Sequence, residues 1–292
     1  MADLVPSTDG VAVAVHHLGG PDGAPTLVFC HANGFNGPAW APLAAHLTDA
    51  YRCLAVDLRG HGVATTPDHV DFDWRGFGDD AEAVLASGLL APDAALHGIG
   101  HSLGGAALVH AAARHPAAFR SLWLFEPITP PPFDATAHPP DVADLLKSNP
   151  MADAAERRRE HFESIGAAID NFASKPPLNS LHPDALRAYV EGGFEELADG
   201  SVRIRCRGVW EGAIYRMGRD NRAWDELEAV AVPVAVAVGE ELPWGPAQFA
   251  PPVAERLPHG ELFRHPELGH FGPLQDPKGM AAEIRDWLEH HP

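Results

Sequence analysis

Short apolar runs alternate along this chain with longer stretches whose apolar residues recur at helical spacing. Val11 to His17 switches between apolar and polar positions after the turn signal Ser7-Thr8-Asp9-Gly10, as a half-buried strand does. Thr26 to Cys30 is a continuous apolar run, the pattern of a strand covered on both faces. A helix is expected from Trp40 to Ala50, a strand from Arg52 to Val56 and a helix from Asp73 to Leu89. The run beginning at Ala94 reads as a strand that breaks at a glycine-flanked serine and continues as an Ala-rich helix to Arg114. Phe119 to Phe125 is the next strand. Such alternation implies an α/β fold with a mostly parallel central sheet and helices on both faces. Catalytic groups should then lie beyond the carboxyl ends of the strands.

The pattern changes after Glu126. Pro127, Pro130, Pro131, Pro132, Pro139 and Pro140 exclude regular helix or central strand and mark a linker. From about Val142 to Ala229 the chain reads as helical with interruptions and carries Phe162, Phe172, Tyr189, Phe194, Trp210, Tyr215 and Met217, as a cap would. A strand resumes at Val232 to Val238, followed by a helix near Pro246 to Leu257, a short strand near Glu261 to Arg264 and a closing helix from Pro277 to His290. The expected organisation is therefore a discontinuous core, residues 1–126 and 230–292, with 127–229 as Pro-rich linker and mainly helical cap.

Composition narrows the function classes. A formal net charge of −19 repels phosphate backbones and anionic lipid, so neither nucleic acid nor membrane is an expected partner. Cys30, Cys53 and Cys206 are odd in number and lack metal-ligand spacing, and they read as reduced structural thiols. The start Met1-Ala2-Asp3-Leu4 lacks the basic and apolar segments of a signal peptide, and no apolar stretch reaches the ~20 residues of a membrane span. A soluble, cytoplasmic protein is the expectation; the oligomeric state stays open.

The chemistry centres on Gly100-His101-Ser102-Leu103-Gly104, a G-x-S-x-G between strand and helix. In that context the motif is a nucleophile elbow, a sharp turn that projects the serine hydroxyl from its tip. A serine hydroxyl needs a base to take its proton as it attacks a carbonyl, and histidine is suited to accept that proton and return it to the leaving group. There is no H-E-x-x-H, no cysteine cluster and no G-x-G-x-x-G opening a helix after the first strand, so neither metal nor organic cofactor is expected.

Four segments in this order resemble the α/β-hydrolase superfamily: Cys30-His31-Ala32-Asn33-Gly34-Phe35, Asp57-Leu58-Arg59-Gly60-His61-Gly62, Gly100-His101-Ser102-Leu103-Gly104-Gly105 and Leu268-Gly269-His270-Phe271-Gly272-Pro273. The resemblance implies the α/β-hydrolase fold, with the cap inserted after its sixth strand. It makes Ser102 the nucleophile and His270 the base, leaving His61, His97, His101, His110 and His115 as packing, surface or loop residues. It also implies an oxyanion hole from the backbone N–H of Leu103 and of Asn33, with Ala32 the alternative. In one respect the chain departs from the pattern. Where most relatives carry Gly-x-x-Asp-Pro after the penultimate strand, it reads Gly239-Glu240-Glu241-Leu242-Pro243, and leucine cannot orient an imidazole. Glu126, past the strand that follows the elbow helix, is the leading acid; Glu240 and Glu241 are alternatives.

The glutamate at that position, with Gly208-Val209-Trp210-Glu211-Gly212-Ala213-Ile214-Tyr215, is similar to zearalenone lactonases, a resemblance that places Trp210 in the substrate pocket. The expected function is a cofactor-free carboxylic-ester or lactone hydrolase with a Ser-His-Glu triad acting on apolar substrates, a macrolactone such as zearalenone among them. The alternatives keep the fold: amide or carbon–carbon bond hydrolysis, perhydrolysis, or ligand binding without catalysis.

Overall fold

In the computed structural model, which describes residues 2–91, 95–132, 149–217, 221–242 and 245–292, the seven apolar runs expected as strands all join one eight-stranded sheet. Its members in chain order are β1 (Asp3–Pro6), β2 (Ala12–Gly19), β3 (Thr26–Cys30), β4 (Arg52–Asp57), β5 (Leu96–His101), β6 (Ser121–Phe125), β10 (Val234–Val238) and β11 (Gly260–Arg264). They lie side by side as β1-β2-β4-β3-β5-β6-β10-β11. β1 and β2 run antiparallel and every pair from β4 onward is parallel. β3, β6 and β10 are buried at every residue, which is why they read as unbroken apolar runs. β1 escapes the hydrophobic pattern because it is an edge strand in which only Val5 is buried.

Side chains from alternate positions of each strand feed two cores. On one face Val28, Leu54, Val56, Leu122, Leu124 and Val236 meet the helices Trp74–Ala86, Leu103–Arg114 and Ala250–Arg256. On the other Phe29, Ala55, Ile99, Trp123 and Ala235 meet Ile284 and Trp287 of the Pro277–His290 helix. Asp73 caps its helix through Gly76 N at 2.7 Å and Asp276 caps the last one through Gly279 N at 2.9 Å, contacts worth about 1 kcal/mol each.

The expected helix from Trp40 to Ala50 is not continuous. A 3-10 turn at Gly37–Trp40 and a single α-helical turn at Ala41–Ala44 give way to turns through Ala50. His46 N and Leu47 N bond three residues back, to Leu43 O and Ala44 O, while Thr48 N bonds four back, to Ala44 O, and this mixture breaks the regular α-helical ladder.

Between β6 and β10 the chain forms the insertion. Pro127, Pro130, Pro131 and Pro132 precede it without regular structure, whereas Pro139, Pro140 and the start of the expected helical stretch, 142–148, lie outside the described residues. Helices run over Pro150–Arg157, Ile165–Ala173, Pro183–Gly193 and Gly208–Arg216. They are joined by a three-stranded antiparallel sheet of β7 (His161–Phe162), β8 (Phe194–Glu196) and β9 (Val202–Ile204), so the segment is not wholly helical. The signal for β9 is in the sequence: Val202, Ile204 and Cys206 are buried while Arg203, Arg205 and Arg207 point outward, the alternation of a strand. A third apolar cluster joins the insertion to the core, packing Phe162, Tyr189, Val190 and Phe194 with Ala32, Phe35 and Leu274.

All three cysteines are free and buried, and burial pushes the thiols of Cys30, Cys53 and Cys206 up to about 12, so they stay protonated at neutral pH. Among the described residues no helix is long and apolar enough to cross a membrane.

Candidate active site

Ser102 sits between β5 and the Leu103–Arg114 helix at φ 55°, ψ −114°, a backbone conformation costing on the order of 1–3 kcal/mol for a residue with a Cβ. The turn is that sharp because strand and helix nearly touch. A Cβ on Gly100 would lie 2.7 Å from the Gly105 Cα, and one on Gly104 would lie 2.2 Å from the Cys30 carbonyl. The elbow is tied to the neighbouring strand: Ser102 N donates to Phe125 O at 3.0 Å and Ile128 N donates to Ser102 O at 3.1 Å.

One residue past β6, Glu126 is also forced to positive φ, 43°. Among the described residues only three non-glycine residues have positive φ, and two of them are Ser102 and Glu126. The turn at Glu126 carries its carboxylate into the interior, where the side chain is 1% exposed. Oε1 accepts from Gly239 N at 2.9 Å and Oε2 from His270 Nδ1 at 2.6 Å. His270 follows β11 in a short loop, its ring 5.3 Å from that of Phe271, which in turn lies 5.2 Å from Phe35. With Nδ1–H held by Glu126, the imidazole presents Nε2 as its basic atom. Among the described residues neither Nε2 nor the Ser102 hydroxyl is committed to another protein group. Bonds of this kind are commonly loose before substrate arrives.

The alternative acids lie elsewhere. Glu241 pairs with Arg264 at 2.8 Å on the surface, Glu240 is exposed, and Leu242, at the position where the resemblance implies an aspartate, is 53% exposed. The loop that bears them still serves the pair, because Gly239 N holds Glu126 and Glu240 N donates to Leu268 O just ahead of His270.

Leu103 N opens the helix and so has no intrahelical acceptor. In the loop after β3, Gly34 N donates to His61 Nε2 at 3.0 Å and Phe35 N to Ala32 O at 3.1 Å. Ala32 N and Asn33 N donate to no group among the described residues. Both expected second donors thus stay available, while Gly34 is committed.

Three histidines shape this centre: His61 and His101, which read from sequence as packing, surface or loop residues, and His31 of the segment after β3. His101 donates from Nε2 to the His270 carbonyl at 2.7 Å and its ring lies 4.8 Å from that of His270. His31 donates from Nδ1 to Ala32 O at 2.7 Å and accepts from Leu58 N at 3.2 Å. His61 donates from Nδ1 to Arg59 O at 2.8 Å and accepts from Gly34 N. Burial above all, then like charge from neighbouring histidines, holds His61 and His101 well below the usual imidazole range; burial likewise lowers His31. Neutrality is what lets His31 and His61 accept backbone hydrogens. The available signal was position, His101 inside the elbow and the other two in the family-like loops.

Trp210 stands in the first turn of the Gly208–Arg216 helix, 6.1 Å from Phe72 and with the Arg207 guanidinium over its ring at 4.8 Å. The cleft it lines, about 520 Å³ and shared with Gly60, Asp68 and Arg203, includes none of Ser102, Glu126 or His270. Among the described residues no group of His, Cys, Asp or Glu side chains converges as a metal ion requires.

A model of the alpha/beta hydrolase family matches residues 27–283, and the chain belongs to that family. It is 25% identical over 99% of its length to the Mycobacterium tuberculosis protein named "Probable oxidoreductase EphD", with 50% of that protein covered. It is 30% identical over 61% of its length to 2-(acetamidomethylene)succinate hydrolase of Mesorhizobium japonicum, with 58% of that protein covered. The chain thus spans little more than half the length of these curated relatives. Among solved structures, an E-2-(acetamidomethylene)succinate hydrolase superposes with a TM-score of 0.79 at 22% identity, covering 99% of each chain, a likeness of fold.

Proposed function

We propose that this member of the alpha/beta hydrolase family is a serine hydrolase that cleaves carboxylic esters or lactones of apolar substrates through an acyl-enzyme on Ser102, without a cofactor. The observation that carries the reading is the Glu126–His270 pair, 2.6 Å apart with its carboxylate buried, where Glu126 follows the strand next to the one that ends at the strained elbow serine. His270 Nε2 takes the Ser102 proton as Oγ bonds to the substrate carbonyl carbon. Glu126 holds the tautomer this requires and stabilises the imidazolium that forms. The oxyanion of the tetrahedral intermediate faces Leu103 N–H and the N–H of Asn33 or Ala32, each donor worth about 3 kcal/mol of transition-state stabilisation. Collapse breaks the carbon–oxygen bond, the leaving alkoxide takes the proton from His270, and water repeats the sequence to release the acid.

The Phe271 ring beside His270, the Phe35 ring against Phe271, and the aromatic-rich insertion packed on Phe35 as a cap would be, favour an apolar acyl or leaving group. The resemblance to zearalenone lactonases read from sequence at the acid position and at Gly208–Tyr215 is the reason to put a macrolactone on the substrate panel. The test is labelling of Ser102 by a fluorophosphonate, followed by turnover of p-nitrophenyl esters and lactones including zearalenone. No adduct on the wild-type chain rejects the reading. A second reading, amide hydrolysis at the same site, is favoured by the identity shared with a 2-(acetamidomethylene)succinate hydrolase, and anilides in the same panel decide between them.

A further inference from the structure

One residue of the segment Gly208–Tyr215 reaches the loop that carries the oxyanion donors, and it is Glu211, next to Trp210. Its backbone carbonyl accepts from Asn33 Nδ2 at 3.2 Å. Its carboxylate rests on Gly34: a Cβ built there would lie 2.7 Å from Glu211 Oε1 and 3.0 Å from its Cδ. Gly34 has φ +80°, so the loop turns sharply at the point the carboxylate covers.

The carboxylate is itself fixed. Its side chain is 10% exposed and ion-paired with Arg158, whose other terminal nitrogen donates to the Cys206 carbonyl. Arg158 closes the Pro150–Arg157 helix and Glu211 lies on the helix packed against it, so the pair locks two helices of the insertion together over one loop of the core. From the opposite side, His61 Nε2 accepts from Gly34 N at 3.0 Å, and His61 is in turn bonded to Arg59 O. Asn33 and Gly34 are thus held between a histidine of the core and a glutamate of the insertion.

A buried ion pair is a poor source of net stability, since desolvation of both charges offsets much of their attraction. Burial raises the Glu211 carboxyl from its usual range, an effect Arg158 opposes. What the pair supplies is a defined position for one carboxylate oxygen against one glycine.

We infer that Glu211 is a positioning residue for the oxyanion hole: through Asn33 and Gly34 it fixes the backbone N–H that faces the developing charge, so that the insertion supports the reaction and does more than cover the pocket. The inference rests on the serine-hydrolase reading above. Because the hole is used only once the carbonyl oxygen carries charge, loss of Glu211 weakens the transition state more than the ground state.

The test compares wild type with Glu211→Gln, which keeps the shape and removes the charge, on a p-nitrophenyl ester and on a trifluoromethyl ketone. The ketone adds reversibly to the serine and places an oxyanion in the hole. Expected are a KM within about threefold of wild type, a kcat lower by about tenfold or more, and ketone affinity lower by the same factor. A kcat within twofold of wild type overturns the inference, as does a lower kcat with unchanged ketone affinity. Should Arg158 without its counter-charge prevent folding, Arg158→Met with Glu211→Gln removes both charges and carries the same expectation; a folded double variant with full kcat overturns the inference. Failure of both variants to fold gives the pair a purely structural role and overturns it too. If wild type neither reacts with the fluorophosphonate nor binds the ketone, it is the hydrolase reading that falls, and that outcome is separate from all of these.

Discussion

Glu126 Oε2 lies 2.6 Å from His270 Nδ1, a contact that closes 144 positions of chain and is completed by Gly239 N on the other carboxylate oxygen. The three parts come from three parallel strand ends, β6, β10 and the loop after β11, which the sheet holds adjacent. This arrangement makes the carboxylate–imidazole contact a property of the sheet order and independent of the residue at position 242.

Glu126→Gln keeps the side-chain shape while losing the charge that fixes the imidazole tautomer. We expect kcat to fall by roughly 10²–10⁴. Glu240→Gln and Glu241→Gln, both at the surface, should leave it within twofold. Steady-state kinetics on one ester suffice, and a Glu241 variant as impaired as the Glu126 one would move the acid to the other loop.

Ser102 supplies a second expectation, because its φ of 55° is tolerated by glycine at little cost. Ser102→Gly should be more stable than Ser102→Ala by about 1 kcal/mol, although both lack the proposed nucleophile. Urea denaturation of the two variants measures the difference. Equal stability would show that the elbow carries no strain.

Buried neutral histidines make stability depend on pH. Burial is the leading cause that lowers His31, His61 and His101 from 6.5, and it brings His97 down to about 4. The unfolded chain therefore binds protons that the folded chain does not, in the window below pH 6.5. There the free energy of unfolding should drop as pH falls, with a slope of up to about 1.4 kcal/mol per pH unit from each histidine, while above pH 7 these groups add no slope. Urea titrations at pH 8, 6 and 5 test the sign; a free energy that rises on acidification contradicts it.

The two ion pairs built on Glu211 and Glu241 should differ in energetic weight. Arg158→Ala leaves the Glu211 carboxylate, 10% exposed, without its partner and should cost about 3–5 kcal/mol. Arg264→Ala breaks a pair whose side chains are 56% and 43% exposed, and should change stability by less than about 1 kcal/mol. Chemical denaturation of both variants compares them directly.

Much of the fold was legible because local pattern and tertiary burial agree. The fully buried strands Thr26–Cys30 and Ser121–Phe125 fall inside or upon apolar runs, and the closing helix keeps its expected Pro277–His290 bounds, its start capped by Asp276. Where local and tertiary signals diverge, the reading shifted. β1 pairs at an edge with one buried residue, and the stretch after Trp40 has helical composition but mixes three- and four-residue bonds. β9 is only three residues long and lies within a helical context, so the alternation from Val202 to Arg207 was absorbed into the expected cap.

Sequence by itself marked the elbow at Ser102: the glycine at position 100 answers a contact within the turn, to Gly105, while the glycine at position 104 makes room for Cys30 of the neighbouring strand. It also placed His270 in the loop after the last strand and narrowed the acid to three glutamates. Only the tertiary structure brought Glu126 to His270 and left Glu240 and Glu241 in solvent, since which carboxylate meets an imidazole depends on strand order and loop path. The same holds for Glu211, 178 positions from the Asn33 amide it receives. Spacing along a chain fixes what a residue can do locally; proximity between distant residues is set by packing, and the positions of charge in this site are matters of proximity.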